Sequence, residues 1–107
     1  MISSFLPHSI FVAEKQNAPD NTLFKEAIVN RLGYEFLYAR DMVDAAIEIF
    51  RWNVEAYPAS SNVYDSLGEA YLRKENRELA IKNYQKSLKL NPDNTNAVDV
   101  LKSLNAK

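Results

Sequence analysis

Apolar residues along most of this chain recur three or four positions apart, which is the spacing of one face of an α-helix. In the first such stretch, about residues 23–40, they form an i, i+4 row. That row consists of Phe24, Ile28, Leu32 and Phe36, with Val29 and Leu37 beside it. The same spacing predicts four more helices, at about residues 42–56, 61–74, 77–90 and 95–104. Because the connections are short, successive helices are expected to be antiparallel neighbours.

Residues at the ends of these stretches have the chemistry of helix caps. Asp41 is the expected N-cap of the second helix, and Ser60 or Ser61 that of the third. Asn76 precedes the fourth helix, and each of these short side chains can accept a hydrogen bond from a free N–H group of the first turn. Pro58 is expected to end the second helix, since a residue before proline is pushed out of the helical region.

Two segments of the chain match each other at a fixed interval of about 34 residues, which we call the repeat interval. Ala46, Phe50 and Pro58 recur as Ala80, Tyr84 and Pro92. A repeat of this length indicates one small structural unit used twice. Gly68 lies in the middle of a predicted helix, where it costs about 1 kcal/mol relative to alanine. We therefore expect another helix to approach closely at Gly68.

Residues 61–94 resemble a tetratricopeptide repeat, in length as well as in sequence. The residues at the typical places of that family are Tyr64, Leu67, Gly68, Tyr71, Ala80, Tyr84 and Pro92, with the small Ser87 at an eighth. Residues 27–60 form a weaker copy, because Gly33 and Tyr34 stand where Leu and Gly are expected. The resemblance implies an all-α fold: a right-handed stack of two antiparallel helical hairpins, about 27–60 and 61–94, with a closing helix at 95–104.

A looser resemblance concerns the sequence segments NRLGYEFL, AIEIF, NVEAYP and NVYDSLGEAY. These segments are similar to the repeat portion on the C-terminal side of some bacterial serine hydrolases and esterases. The resemblance implies, as an alternative, that the chain is an accessory domain of a hydrolase whose catalytic part is absent.

The N-terminal segment, residues 1–22, has no helical pattern and is expected to be irregular. Its apolar residues are unusual for a free tail. They are Phe5, Leu6, Ile10, Phe11 and Val12. We expect this segment to pack on the helical domain 23–107, on a second copy of the chain or on a missing neighbour, since two hairpins are few for a stable stack.

Composition restricts the chemistry that the chain can perform. Without cysteine there is no thiolate zinc site and no cysteine nucleophile, and His8 is the lone histidine. Neither G-x-S-x-G nor S-x-x-K occurs, so we expect no catalytic residue, metal site or cofactor and predict that the chain is not an enzyme. The net charge of −1 argues against nucleic acid, and no stretch predicts a membrane span. If the chain is complete, it is expected to be cytoplasmic.

The candidate site follows from the resemblance. In tetratricopeptide repeats the first helix of each unit lines a groove that binds an extended peptide or a helix. Applying the repeat interval predicts the rows Arg31, Asp65, Asp99 and Glu35, Glu69, Ser103, then Tyr38 with Leu72 and Arg73, and Asn62 with Asn96 at the far edge. This mildly acidic lining predicts a protein or peptide partner with some positive charge and an apolar anchor. Family members that hold the acidic tails of heat-shock chaperones use Lys and Asn here, so Asp65 and Glu69 predict no such clamp.

The sequence therefore predicts a non-enzymatic protein–protein interaction module. Two alternatives stay open, the hydrolase accessory domain and a self-associating scaffold that forms a homodimer. Lys82, Lys86 and Lys89 share one side of the fourth helix. They are interpreted as a solvated outer face, with a docking patch as the lesser alternative.

Overall fold

A computed structural model describes residues 22–105 of the chain, and its side chains from residue 25 onward. The elements in order are α1 (Thr22–Tyr34), a π-helical segment (Glu35–Ala39), α2 (Val43–Ala56), α3 (Ser61–Arg73), α4 (Arg77–Leu90) and α5 (Thr95–Ser103). Residues 22–105 contain no strand, so the all-α stack of two hairpins with a closing helix is confirmed. The predicted packing of the N-terminal segment concerns residues 1–21 and includes His8, and these residues lie outside the described part, whereas Thr22 begins α1.

The helix ends confirm some of the expected caps and contradict others. Asn76 accepts a hydrogen bond from the Leu79 N–H at 3.2 Å, as predicted, and Asn94 does the same for α5. The prediction for Asp41 is wrong. Asp41 takes a left-handed backbone with φ of 52°, and Met42 occupies the N-cap of α2 instead. Ser60 is the N-cap of α3, but its hydroxyl makes no cap bond and donates to the Glu26 carboxylate at 2.7 Å.

Both hairpins are built around a glycine that faces an aromatic ring. A Cβ atom placed on Gly68 would lie 2.8 Å from the Tyr84 ring, and one on Gly33 would lie 2.3 Å from the Phe50 ring. The close helix approach expected at Gly68 is thus present, and Gly33 has the same role in the first hairpin. Phe50 and Tyr84 are separated by the repeat interval, whereas the two glycines are separated by one position more. The first hairpin therefore contains an extra residue between its glycine and its aromatic ring.

The π-helical segment accommodates that extra residue. The Arg40 N–H bonds to the Glu35 carbonyl, which is one position further back than in an α-helix, whereas the equivalent Lys74 N–H bonds to the Ala70 carbonyl with ordinary α-helical spacing. A single π-turn of this kind is how a helix accepts an inserted residue without losing its hydrogen bonding. After the segment the two repeats are again in register, since Asp41 and Glu75 (φ of 66°) share the left-handed conformation and are separated by the repeat interval.

A second pair of contacts confirms that equivalent residues of α1 and α3 are one position further apart than the repeat interval. The buried Asn53 side chain donates to the Glu26 carbonyl at 3.1 Å, and the buried Ser87 hydroxyl donates to the Ser61 carbonyl at 2.9 Å. Asn53 and Ser87 are separated by the repeat interval, while Glu26 and Ser61 are separated by one position more. Each bond joins the second helix of a hairpin to the N-terminal part of the helix before it.

The apolar row predicted for α1 is consequently off by one position. Ile28 is 41% exposed, while Gly33 and Leu37 are buried. The buried side therefore passes through residues 29, 33 and 37, because Gly33 must face Phe50. Leu32 and Phe36 lie at its border and are half-buried. The side chain of Phe24, the first member of the predicted row, lies outside the described residues.

The core lies between successive helices. Leu37, Phe50 and Leu67 belong to a cluster that joins the first hairpin to α3. Tyr84, Ala97 and Leu101 belong to a second cluster that joins α4 to α5. Each helix thus covers the apolar side of its neighbours, and α5 closes the stack after the second hairpin.

Candidate functional site

The inner sides of the π-helical segment, α3 and α5 border one open depression of about 460 Å³. We call it the inner groove, and its lining consists of Tyr38, Glu69, Leu72, Arg73, Tyr84, Asn96 and Val100. Its size is within the range of pockets that hold small ligands or single side chains of a partner. The lining comes from the first hairpin, from the second hairpin and from α5, so the groove exists only because the units are stacked.

Glu69 lies at the centre of the inner groove and accepts hydrogen bonds from two tyrosines. The Tyr34 hydroxyl donates to one carboxylate oxygen at 2.9 Å, and the Tyr38 hydroxyl donates to the other. The two rings lie parallel with their centroids 6.1 Å apart, and Tyr34 meets Phe50 edge-on at 5.1 Å. Glu69 therefore fixes the Tyr38 ring, although that side chain is 49% exposed.

Arg73 covers the other side of Tyr38. Its guanidinium carbon lies 5.0 Å from the centre of the Tyr38 ring, within the range of a cation–π contact. The same guanidinium donates to Asp41 at 3.2 Å. The left-handed backbone of Asp41 thus brings a carboxylate to Arg73, and the Tyr38 ring is held from two directions.

The environment of the two tyrosines keeps them protonated. Partial burial, the hydrogen bond to the Glu69 carboxylate and the negative charge of that group together raise the pKa of Tyr38 to about 12, against the opposing effect of Arg73. Burial also raises the pKa of Tyr34 well above its usual value. Both hydroxyls are therefore neutral donors near neutral pH and are poor nucleophiles.

Asp65 joins α3 to α5 beside the inner groove. Its carboxylate accepts from Asn94 at 3.1 Å and from Asn96 at 2.9 Å, and the Ser87 hydroxyl lies 3.2 Å away. Asn94 also caps α5. The Asp65 charge is thus largely satisfied by amide and hydroxyl donors of the chain itself, and it positions the Asn96 side chain at the rim.

The structure brings together only part of the predicted lining. Some of the predicted residues border the inner groove: Tyr38, Glu69, Leu72, Arg73 and Asn96. Asp65 contacts that group through Asn96. The others, Arg31, Glu35, Asn62, Asp99 and Ser103, are exposed and do not border it.

The rows that included Arg31 and Glu35 need correction. Because of the inserted residue, the positions of α1 that face α3 lie one residue earlier in the sequence than the repeat interval predicts. Tyr34 reaches Glu69, whereas Glu35 pairs with Arg40 at 3.1 Å. Asn30 takes the place next to α3 that Arg31 was expected to have, and it accepts a hydrogen bond from the Ser66 hydroxyl. A uniform repeat interval therefore fails for the part of the chain before the π-helical segment.

Sequence reasoning also missed groove residues that contribute through tertiary contacts. Tyr34 and Asp41 hold Tyr38 and Arg73 in place, and Val100 supplies apolar lining from α5. For Tyr34, the sequence did contain a signal, which was the position of Gly33. It stands one position before the place that the repeat reserves for glycine, which indicates an inserted residue in the first hairpin.

Antiparallel hairpins with a shared inner groove define the class of helical-repeat proteins. Residues 61–94, about a third of the chain, match the family model described as Tetratricopeptide repeat. The matched residues are those of the hairpin of α3 and α4 with its connection to α5, so this part of the chain is similar to a tetratricopeptide repeat. A search of curated proteins finds no match to the chain.

Two further properties concern the described residues alone. None of their helices combines the length and the apolar character needed to cross a bilayer. No three acidic, histidine or cysteine side chains among them gather into a potential metal site.

Proposed function

We propose that this chain is a protein-interaction module that binds an extended or helical peptide segment of a partner protein in its inner groove. Tetratricopeptide repeats typically bind proteins, which supports the general function. The observation that carries the specific proposal is the Tyr38 ring. It is half exposed, yet Glu69 and Arg73 hold it in one place. An aromatic ring that is already ordered loses little conformational entropy when a partner packs on it.

The apolar part of the inner groove suits one anchoring side chain of the partner. Tyr38, Leu72 and Val100 supply apolar surface from the π-helical segment, α3 and α5. Asn96 lies at the edge, where its side-chain carbonyl can accept a hydrogen bond from a peptide N–H group. Interfaces of this kind take most of their affinity from a buried anchor surrounded by polar contacts.

Charge is a secondary feature of the proposed binding. Glu69 and Arg73 are engaged within the chain, and Asp65 is satisfied by its asparagine partners. Asp99 is exposed on α5, close in sequence to Asn96 and Val100. We therefore propose a partner with a modest positive charge beside its apolar anchor, whose effect is larger on the association rate than on the affinity.

We further propose that the chain acts by binding and performs no chemistry of its own. The tyrosines of the inner groove have raised pKa values, which makes them donors rather than bases or nucleophiles. The carboxylate of Glu69 accepts a hydrogen bond from a tyrosine hydroxyl on each of its two oxygens.

A peptide selection tests this function. Random peptides displayed on phage would be selected on the immobilised full chain, and an enriched sequence would be synthesised and titrated by calorimetry. Tyr38→Ala should weaken its binding at least about tenfold, since removing a central anchor typically costs about 2 kcal/mol or more. Tyr38→Phe keeps the ring and loses the bond to Glu69, so it should weaken binding less.

The control variant is Arg51→Ala, on the exposed outer side of α2. It should bind the selected peptide as the original chain does. The proposal fails if no sequence is enriched, or if Tyr38→Ala binds the enriched peptide with unchanged affinity. Circular dichroism of each variant shows that a loss of binding does not reflect unfolding.

A further inference from the structure

A second depression, of about 510 Å³, lies on the outer side of the second hairpin between α3 and α4. We call it the outer depression, and its lining consists of Tyr64, Leu79, Lys82, Asn83, Gln85, Lys86 and Lys89. At about 100° per residue, Lys82 and Lys86 each lie about 160° around α4 from Tyr84, which borders the inner groove. The two depressions therefore face opposite sides of the hairpin.

The floor of the outer depression is apolar and ordered. The Tyr64 hydroxyl donates to the Pro58 carbonyl at 2.9 Å, which fixes the ring, and the Asn83 amide donates to the Leu79 carbonyl at 2.9 Å. The Lys86 ammonium lies 5.8 Å from the centre of the Tyr64 ring. An apolar side chain of a partner can thus contact the Tyr64 ring and Leu79 while the Tyr64 hydroxyl and the Asn83 amide keep their hydrogen bonds.

The rim of the outer depression is basic and uncompensated. Lys82, Lys86 and Lys89 are all exposed, and among the described residues no carboxylate comes within 4.0 Å of any of them. The ion pairs found within the described part of the chain use Arg40, Arg73 and Lys74 instead. Three such cations spread over about 10 Å of helix attract a negatively charged partner.

We propose that the outer depression is a second docking surface, which binds an acidic peptide segment of another protein carrying one apolar side chain between its carboxylates. The apolar floor favours a peptide over a nucleic acid or a lipid headgroup, because neither of those places an aliphatic side chain between its charges. The chain would then bridge two proteins, one in each depression. This surface does not depend on the inner groove, so either proposal can fail alone.

The test uses a short synthetic peptide with a leucine between two pairs of glutamates, titrated into the isotope-labelled full chain. With peptide concentrations up to about 2 mM, binding with a dissociation constant of about 1 mM is detectable. The expected result is a change of the backbone amide shifts of Tyr64, Leu79, Asn83 and Lys86. Replacing the leucine of the peptide by glycine should weaken binding about tenfold, because the burial of that side chain is lost.

Charge-reversing substitutions distinguish binding at the outer depression from a general attraction between the chain and the acidic peptide. The double variant Lys82→Glu with Lys86→Glu should weaken binding of the peptide about tenfold, since it replaces two attractions by two repulsions. The control Arg51→Glu with Lys102→Glu has the same net charge and should change the affinity less than about twofold. If the first variant does not fold, Lys82→Gln with Lys86→Gln provides the comparison with less perturbation.

Several outcomes would overturn the proposal. One is the absence of shift changes at the outer depression, and another is equal weakening by both double variants. A third is a single-stranded oligonucleotide, or vesicles containing phosphatidylserine, that perturbs the same amides at lower concentration than the peptide. A fourth is movement of these amides on dilution of the protein alone, which would assign the surface to a second copy of the chain.

Discussion

Gly68 offers the sharpest test of how the repeat is packed. Replacing it by alanine improves helix propensity by about 1 kcal/mol. The added Cβ, however, would lie 2.8 Å from two carbon atoms of the Tyr84 ring, which is 2% exposed and cannot move freely. Overpacking of this kind costs about 1–3 kcal/mol. We therefore expect Gly68→Ala to destabilise the chain by up to about 2 kcal/mol, in spite of the gain in propensity.

Two comparisons isolate the steric part of this effect. Gly33→Ala should destabilise more, because its Cβ would lie 2.3 Å from the Phe50 ring. Glu48 is exposed in the middle of α2, so the difference between Glu48→Ala and Glu48→Gly reports propensity without a clash. In that pair alanine should be the more stable residue by about 1 kcal/mol.

The assay is urea unfolding followed by circular dichroism, with thermal melting as a second measure. A loss of about 1 kcal/mol should lower the melting temperature of a domain of this size by about 4–8 °C. Gly68→Ala combined with Tyr84→Leu should lose less stability than the sum of the two single changes, since the ring that causes the clash is gone. A stabilised Gly68→Ala variant, or strict additivity with Tyr84→Leu, would refute the reasoning.

Three further predictions concern the first hairpin, the inner groove and the helix caps. Deletion of Ala39, an exposed residue of the π-helical segment, should leave a folded chain, because it removes the inserted residue and allows α-helical bonding throughout; loss of the cooperative unfolding transition would contradict this. Glu69→Gln should lower the pKa of Tyr38 below about 12, seen in the tyrosinate absorbance, since it removes the negative charge beside the hydroxyl while the larger effect of burial remains. Because that pKa is raised by folding, the contribution of Tyr38 to stability is complete below about pH 10 and is lost as the pH rises through about 12; unchanged titration in Glu69→Gln would exclude the role of the carboxylate. Asn76→Ala should destabilise the chain by about 1 kcal/mol in urea unfolding through loss of the α4 cap, and a change below a few tenths would show that the bond to Leu79 contributes nothing.

The sequence indicated the second hairpin well because its landmarks are local. Gly68, Tyr84 and Pro92 have fixed spacings, and each has a direct physical reason to be where it is. Asn76 stands at the start of α4, where its side chain has no better partner than the helix itself. Such features depend on residues close in sequence or on a single contact between two neighbouring helices.

The first hairpin was harder to predict because an inserted residue changes which side of a helix is buried. The apolar residues of α1 allow two adjacent rows, one through Ile28 and one through Leu37, and hydrophobic spacing does not choose between them. The choice depends on the contact between Gly33 and Phe50, which belong to different helices. Asp41 was misassigned for a related reason, since its carboxylate bonds to Arg73 of α3 rather than to its own helix.

The inner groove was predictable only in outline. Tyr38, Leu72 and Asn96 follow from the family pattern, but the bonds that orient them do not. Asp65 was expected to present its charge to a partner, yet two asparagines from the start of α5 satisfy it. Those contacts require α3 and α5 to be adjacent in space, which a single sequence does not display.

Mapping the surface of the chain that contacts a bound peptide is the direct test that the inner groove binds a partner. A peptide selected on the full chain would be added to the isotope-labelled protein, and the amide shift changes would be assigned along the chain. We expect the largest changes at Tyr38, Leu72, Arg73 and Val100, with little change at Arg51 and Glu48 on the outer side of α2. Changes confined to the outer side, or spread evenly over the chain, would contradict it.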